Sequence, residues 1–171
     1  VVDDHPTIRF GIRAILKKHR DIEVVGDIGT AAGAVRMCQH LEPAVLVLDY
    51  ILPDANGLEV LLQLGLLEVK TRVLVFSLLR RPRLAMHLLR HGAAGYLTKA
   101  ANPEELPDAI RKVSTGHSFL GSDIASQVAE MLSGDDDSPE ASLSARELQV
   151  LLRFARGRTN REVASDLHIS R

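Results

Sequence analysis

Apolar and polar positions along this chain follow two alternating periods. Short runs rich in Val, Ile and Leu read as buried strands: IEVVGD (Ile22 to Asp27), AVLVLD (Ala44 to Asp49), RVLVFS (Arg72 to Ser77) and AGYLT (Ala94 to Thr98). Val1-Val2 reads as the stub of a first strand. Between these runs apolar residues recur at helical spacing, which predicts helices at about Thr7 to Lys18, Ala31 to Leu41, Gly57 to Leu67, Arg83 to His91 and Pro103 to Thr115. Such an order predicts an α/β, doubly wound, five-stranded parallel sheet with helices on both faces. Ligands of such sheets bind beyond the carboxyl ends of the strands, so the chemistry is expected there.

A further helix, Ser122 to Leu132, has Ser122 as its expected N-cap and is read as a connector. Residues 133–142 (SGDDDSPEAS) read as a tether. Beyond them Ser144 and Glu147 form a capping-box pattern that opens an amphipathic run through Arg156, with Leu148, Leu151, Leu152 and Ala155 on one face. Gly157 ends it, Asn160 can cap a second short helix from Arg161 to Leu167, and Ile169-Ser170 supplies a turn and a new cap. Two short helices and an interrupted third point to a small all-α helix-turn-helix unit. The expected division is residues 1–118, a connecting segment 119–142, and 143–171 as the first part of the helical unit, its recognition helix missing. With no Met at the start and a pattern broken at Arg171, the chain is expected to be a fragment or the ordered part of one.

Charge sharpens this division. The net charge is −1 over 171 residues, but residues 1–132 balance, 133–142 carry four acids and no base, and 143–171 carry six arginines against Glu147, Glu162 and Asp166. A neutral body, an acidic tether and a basic end is the layout of a sensor joined to a nucleic-acid reader. No apolar run approaches the length of a spanning helix, and no leader pattern opens the chain, so a cytoplasmic protein without membrane contact is expected. Cys38 is the single cysteine, which fits a buried thiol in a reducing compartment.

Acids stand at two predicted strand ends, Asp3-Asp4 and Asp49, and neighbouring parallel strands would bring them together. Converging carboxylates repel, and a shared cation relieves them; hard oxygen ligands in small number suit Mg²⁺. Lys99, at a third strand end, would add a fixed positive charge, and Ser77 and Tyr96 are expected at the remaining ends. Such a set can stabilise a phosphoryl group in transit, with one carboxylate as nucleophile.

The segments VVDDHP, LVLDYILPDANGLE, VFS and GAAGYLTK, in this order and spacing, resemble the receiver domain of two-component response regulators over residues 1 to about 115. The stretch LSARELQVLLRFARGRTNREVASDLHIS resembles the helix-turn-helix output unit of the LuxR/NarL/FixJ class. The resemblance implies a flavodoxin-like receiver and a regulator of transcription rather than an enzyme. It implies that Asp49 accepts phosphate from a sensor histidine kinase. It further implies that Asp4, Asp49 and the Ile51 carbonyl ligate Mg²⁺ while Asp3 assists through water, that Lys99 and Ser77 hold the phosphoryl oxygens, and that Ser77 and Tyr96 form the switch. Homodimerisation on phosphorylation and DNA binding by the complete protein follow from the same class. Pro53, Asn56 and Gly57 fit the loop after the acceptor, where the tight turn and cap precede a helix. Ala55 departs from the usual Met or Leu, and Arg80, Arg81 and Arg83 make the stretch after Ser77 basic.

Arg158, Arg161 and Arg171, with Arg153 and Arg156, are candidate contacts to DNA phosphates, whereas base reading belongs to the recognition helix. Without that helix the chain is expected to bind DNA poorly and without sequence preference. His87 and His91 have zinc-helix spacing, but Leu88 stands where a metalloprotease base would be. Gly26, Gly29 and Gly33 miss the dinucleotide spacing, no phosphate-binding NTPase loop occurs, and Ile51 replaces the second acid of a haloacid-dehalogenase-type phosphatase. Two other readings stand beside the regulator. One is an adaptor acting through protein contacts alone. The other is a flavodoxin-like cofactor binder, which the acidic loop DDHPTIR disfavours, because an anionic phosphate wants N–H and hydroxyl donors.

Overall fold

The computed structural model describes residues 1–133. In it the short runs form parallel strands β1 (Val45–Leu48), β2 (Arg72–Ser77), β3 (Gly95–Thr98) and β4 (Phe119–Leu120), hydrogen-bonded in that order. Helices α1 (Pro6–Leu16) and α2 (Ala31–Leu41) precede β1, α3 (Gly57–Leu66), α4 (Pro82–Arg90) and α5 (Glu105–Ser114) connect the successive strands, and α6 (Ser122–Ser133) follows β4. Strand residues alternate between two cores, as a pleated sheet covered on both sides requires. Leu46, Leu48, Val73, Val75 and Tyr96 pack with α2, α3, α4 and α6, while Val47, Leu74 and Leu97 pack with α1 and α5.

The expected five-strand count is corrected. Val1-Val2 forms only a bridge, in which Val2 pairs in parallel with both Ile28 and Leu48, so the acid pair that follows it still lies beside β1. The run Ile22 to Asp27 is not a strand, because only Val1 and Val2 lie alongside it and their contacts end at Gly26 and Ile28. In turn β4 was not expected. It extends the sheet through Phe119 N–H to the Ala94 carbonyl (3.0 Å) and Gly121 N–H to the Tyr96 carbonyl (2.8 Å). Gly95 permits this approach, since a Cβ there would lie 2.9 Å from the Phe119 carbonyl oxygen.

Helix starts follow their capping chemistry. Thr30 caps α2 through its hydroxyl (3.3 Å), and Asn56 and Glu59 form a reciprocal capping box on α3. The cap expected of Ser122 is not made: its hydroxyl is turned to Glu105 (3.3 Å), and α6 is held instead by Ile124 (0% exposed) and Val128 (4%) buried against α4 and the sheet. The helical unit expected over 143–171, with Arg153, Arg156, Arg158, Arg161 and Arg171, lies outside the described residues.

Candidate phosphoacceptor site

Parallel pairing sets the site. Asp49 N–H donates to the Val2 carbonyl (2.8 Å), and Lys99 N–H donates to the Ser77 carbonyl (2.8 Å). These two bonds bring Asp3, Asp49, Ser77 and Lys99 to one end of the sheet, where the sequence places them. The Lys99 ammonium sits 2.6 Å from Asp3 Oδ2 and 2.5 Å from Asp49 Oδ2. All three side chains are at least nine-tenths buried. Burial works against the lysine charge, but hydrogen bonds to Asp3 and Asp49 outweigh it and hold the Lys99 pKa above its ordinary value.

Each acid has its own setting. Asp3 Oδ1 accepts from the His5 N–H (2.9 Å), while Arg9 grips the Asp3 carbonyl (2.7 Å) and reaches Asp27 (2.9 Å), fixing α1 against the loop. The Arg9 bond, followed by Arg13, holds Asp27 below the usual carboxylate range despite partial burial. Asp4 is the exposed member, its Oδ1 2.6 Å from His5 Nδ1. Asp49 Oδ1 accepts a long bond from the Ile51 N–H (3.4 Å). Gly57 lets the following loop close, with its N–H on the Tyr50 carbonyl (2.7 Å) and a Cβ position only 3.0 Å from Tyr50 Cα.

The donor set fits a hard divalent cation. Asp3 Oδ2 is buried with the Lys99 ammonium 2.6 Å away, and Asp3, Asp4 and His5 each present a ligand atom within 4.8 Å of the others. An exposed carboxylate beside a buried one suits an ion that keeps several waters.

Ser77 ends β2, fully buried, and its Oγ accepts from the Leu79 N–H (3.3 Å). Tyr96 requires a correction: it lies inside β3 rather than at its end, which Thr98 occupies. Its ring is nevertheless buried and its hydroxyl donates to the Leu79 carbonyl (2.6 Å), so Ser77 and Tyr96 grip the same residue of the β2–α4 loop. Burial, with a smaller contribution from the nearby Asp49 charge, pushes the Tyr96 phenol up to about 12 against the pull of a Ser77 hydrogen bond.

Three contributors escape a reading of the sequence. Asp54 accepts the N–H groups of Ala31 (2.8 Å) and Ala32 (3.0 Å) at the start of α2, tying the loop after Asp49 to that helix. Buried Thr98 donates to Asp123 Oδ2 (2.7 Å), which also lies 3.5 Å from Arg80 Nε. No local pattern marks these pairs, whose members are 23, 25 and 43 residues apart.

Residues 1–111 match the response regulator receiver domain family, and residues 141–171 match the luxR family of bacterial regulatory proteins. The response regulator UvrY of Escherichia coli (strain K12) is 35% identical over 99% of this chain and 79% of its own length. The transcriptional regulatory protein LiaR of Bacillus subtilis (strain 168) is 32% identical over 99% of this chain and 82% of its own. Among solved structures, a LuxR-family response regulator from Aurantimonas sp. SI85-9A1 aligns at 31% identity with a TM-score of 0.74, covering 78% of this chain and 95% of that one. The RcsB dimers bound to two parallel DNAs align at 25% identity and a TM-score of 0.70, over 99% of this chain and 81% of that one. With acids and a lysine gathered at the strand ends of a receiver fold, and with a LuxR-type segment after it, this chain belongs to the transcriptional response regulators of two-component systems.

Proposed function

We propose that Asp49 is the phosphoacceptor and that a sensor histidine kinase is the donor. One observation carries the reading: Asp49 is a buried carboxylate at a strand end, with a lysine ammonium 2.5 Å away that also neutralises Asp3. An Asp49 oxygen forms the new bond to phosphorus as the P–N bond to the kinase histidine breaks, and the electron pair stays on the imidazole nitrogen. Lys99 then meets the phosphoryl oxygens, replacing part of its pairing to Asp49 with a more strongly charged partner. Asp4, Asp49 and the Ile51 carbonyl would hold Mg²⁺, with Asp3 assisting through water, and the ion would supply charge neutralisation of the transferring group.

Ser77 turns its hydroxyl from Leu79 to the phosphoryl group, and Tyr96 follows the loop that both of them grip. The chain's own chemistry is thus confined to taking up a phosphoryl group and does not extend to turnover of a substrate. DNA is the target of the output unit, and homodimers form on phosphorylation, a reading supported by RcsB, which is seen as dimers on DNA. Among the described residues no helix is long and apolar enough to cross a membrane.

Intact-mass spectrometry with Mg²⁺ and acetyl phosphate tests the acceptor. Wild type gains one phosphoryl group and Asp49→Asn gains none; equal gains in both exclude Asp49.

A further inference from the structure

We propose that Asp123 is a latch through which α6, the helix leading toward the output segment, reads the state of the acceptor site. The inference rests on the phosphoacceptor reading for its trigger and on geometry alone for the latch. Asp123 lies in the first turn of α6, and one of its oxygens serves two parts of the receiver. Oδ2 accepts from Thr98, the fully buried residue directly before Lys99, at 2.7 Å, and lies 3.5 Å from Arg80 Nε. Arg80 follows Leu79, whose N–H is on Ser77 and whose carbonyl is on Tyr96. A continuous polar path therefore runs from the two switch residues through Leu79 and Arg80 to Asp123, and returns through Thr98 to Lys99.

Below this path α6 is docked by apolar contact, and its first residue, Ser122, holds Glu105 through its hydroxyl (3.3 Å). Ile124 and Val128 are buried with Met86, Leu89 and Tyr96, so a motion of Tyr96 or of the α4 start changes the surface on which α6 rests. When Ser77 gives its hydroxyl to the phosphoryl group, the Leu79 bond to it is lost and the loop is drawn toward the site. Arg80 is then withdrawn from Asp123, the first turn is left with the Thr98 bond and the exposed Ser122–Glu105 contact, and α6 loosens. Reciprocally, any partner that holds α6 down disfavours the phosphorylated arrangement. Asp123 is a positioning residue, acting on the acceptor through Thr98 and Arg80.

Amide hydrogen exchange of residues 122–130, read with intact mass on the same full-chain samples, tests this. Phosphorylated wild type exchanges about tenfold faster over this segment than the unphosphorylated protein. Asp123→Ala raises exchange by a similar factor without phosphodonor, and a further rise on phosphorylation is absent although the mass gain persists. Asp123→Asn, which keeps an acceptor for Thr98 but loses the charge facing Arg80, falls between the two. A phosphorylated wild type with unchanged α6 exchange overturns the trigger while leaving Asp49 as the acceptor. Asp123→Ala with wild-type exchange and undiminished response overturns the latch. Failure of wild type to gain mass overturns the acceptor reading instead, and the Asp123→Ala comparison then still decides the latch.

Discussion

Replacing Lys99 by Met keeps most of the apolar stem and removes only the ammonium. Two acids, Asp3 and Asp49, would then face each other at one strand end with no cation between them, where the native protein places Lys99 within 2.6 Å of both. Removing one partner of a buried ion pair costs about 3–5 kcal/mol, because the remaining charge stays desolvated. For a domain of this size about 3 °C of melting temperature is lost per kcal/mol, so Lys99→Met should melt about 10–15 °C lower. Two controls separate charge from packing. Asp49→Asn in the Lys99→Met background removes the repulsion and should recover part of the loss, a coupling that independent sites would not show. Added Mg²⁺ should raise the melting temperature of Lys99→Met more than that of wild type, since the ion supplies the missing positive charge. Differential scanning calorimetry reads wild type, each single variant and the double variant. A Lys99→Met protein that melts within about 2 °C of wild type and is indifferent to Mg²⁺ would refute the reasoning, for it would mean that the acids are solvated separately.

Asp49→Asn alone leaves the Lys99 pair with Asp3 in place, so its melting temperature should equal or exceed that of wild type; a large fall contradicts this. Both Tyr96 and Lys99 have folded-state pKa values raised above their ordinary ones, so the stability they contribute is complete below about pH 10 and is lost as pH rises, for Tyr96 through about 12. Chemical denaturation should therefore show a stability decline beginning near pH 10, and a flat profile to pH 12 argues against both. In a Tyr50→Phe background the ultraviolet titration of the remaining phenol should centre near 12, and a midpoint near 10 would place Tyr96 in solvent. Asn56→Ala removes the α3 capping box and should cost about 1 kcal/mol in urea unfolding, with a change under about 0.3 kcal/mol showing that the cap is idle.

Where local pattern carries information, the sequence is close to the structure. The run Ala31 to Leu41 is the helix it resembles, with Thr30 as its cap, and Asn56 caps α3 as its turn chemistry implies. Asp3, Asp49, Ser77 and Lys99 are legible because a parallel sheet delivers every strand end to the same edge, so position along the chain translates directly into position in space. Tyr96 shows the limit of that rule. It lies within β3, and its reach to Leu79 depends on the inward side of the pleat rather than on the strand end. Ile22 to Asp27 has the composition of a strand, but a ladder needs a neighbour, and composition does not report one. Phe119–Leu120 is the reverse case, a pair too short to show a period and made a strand by the open edge of β3. Asp123 is hidden for the same reason: its partners are chosen by the docking of α6 on α4, which the apolar face of α6 permits but does not specify.

Borohydride trapping reads directly whether Asp49 is the one carboxylate that carries the phosphoryl group. The protein is phosphorylated with acetyl phosphate and Mg²⁺, reduced so that an acyl phosphate becomes homoserine, and mapped by tandem mass spectrometry. Homoserine at position 49 and unaltered aspartates at Asp3 and Asp4 are the predicted result. Homoserine at Asp3 or Asp4, or no homoserine in a protein that has gained phosphoryl mass, would contradict the account.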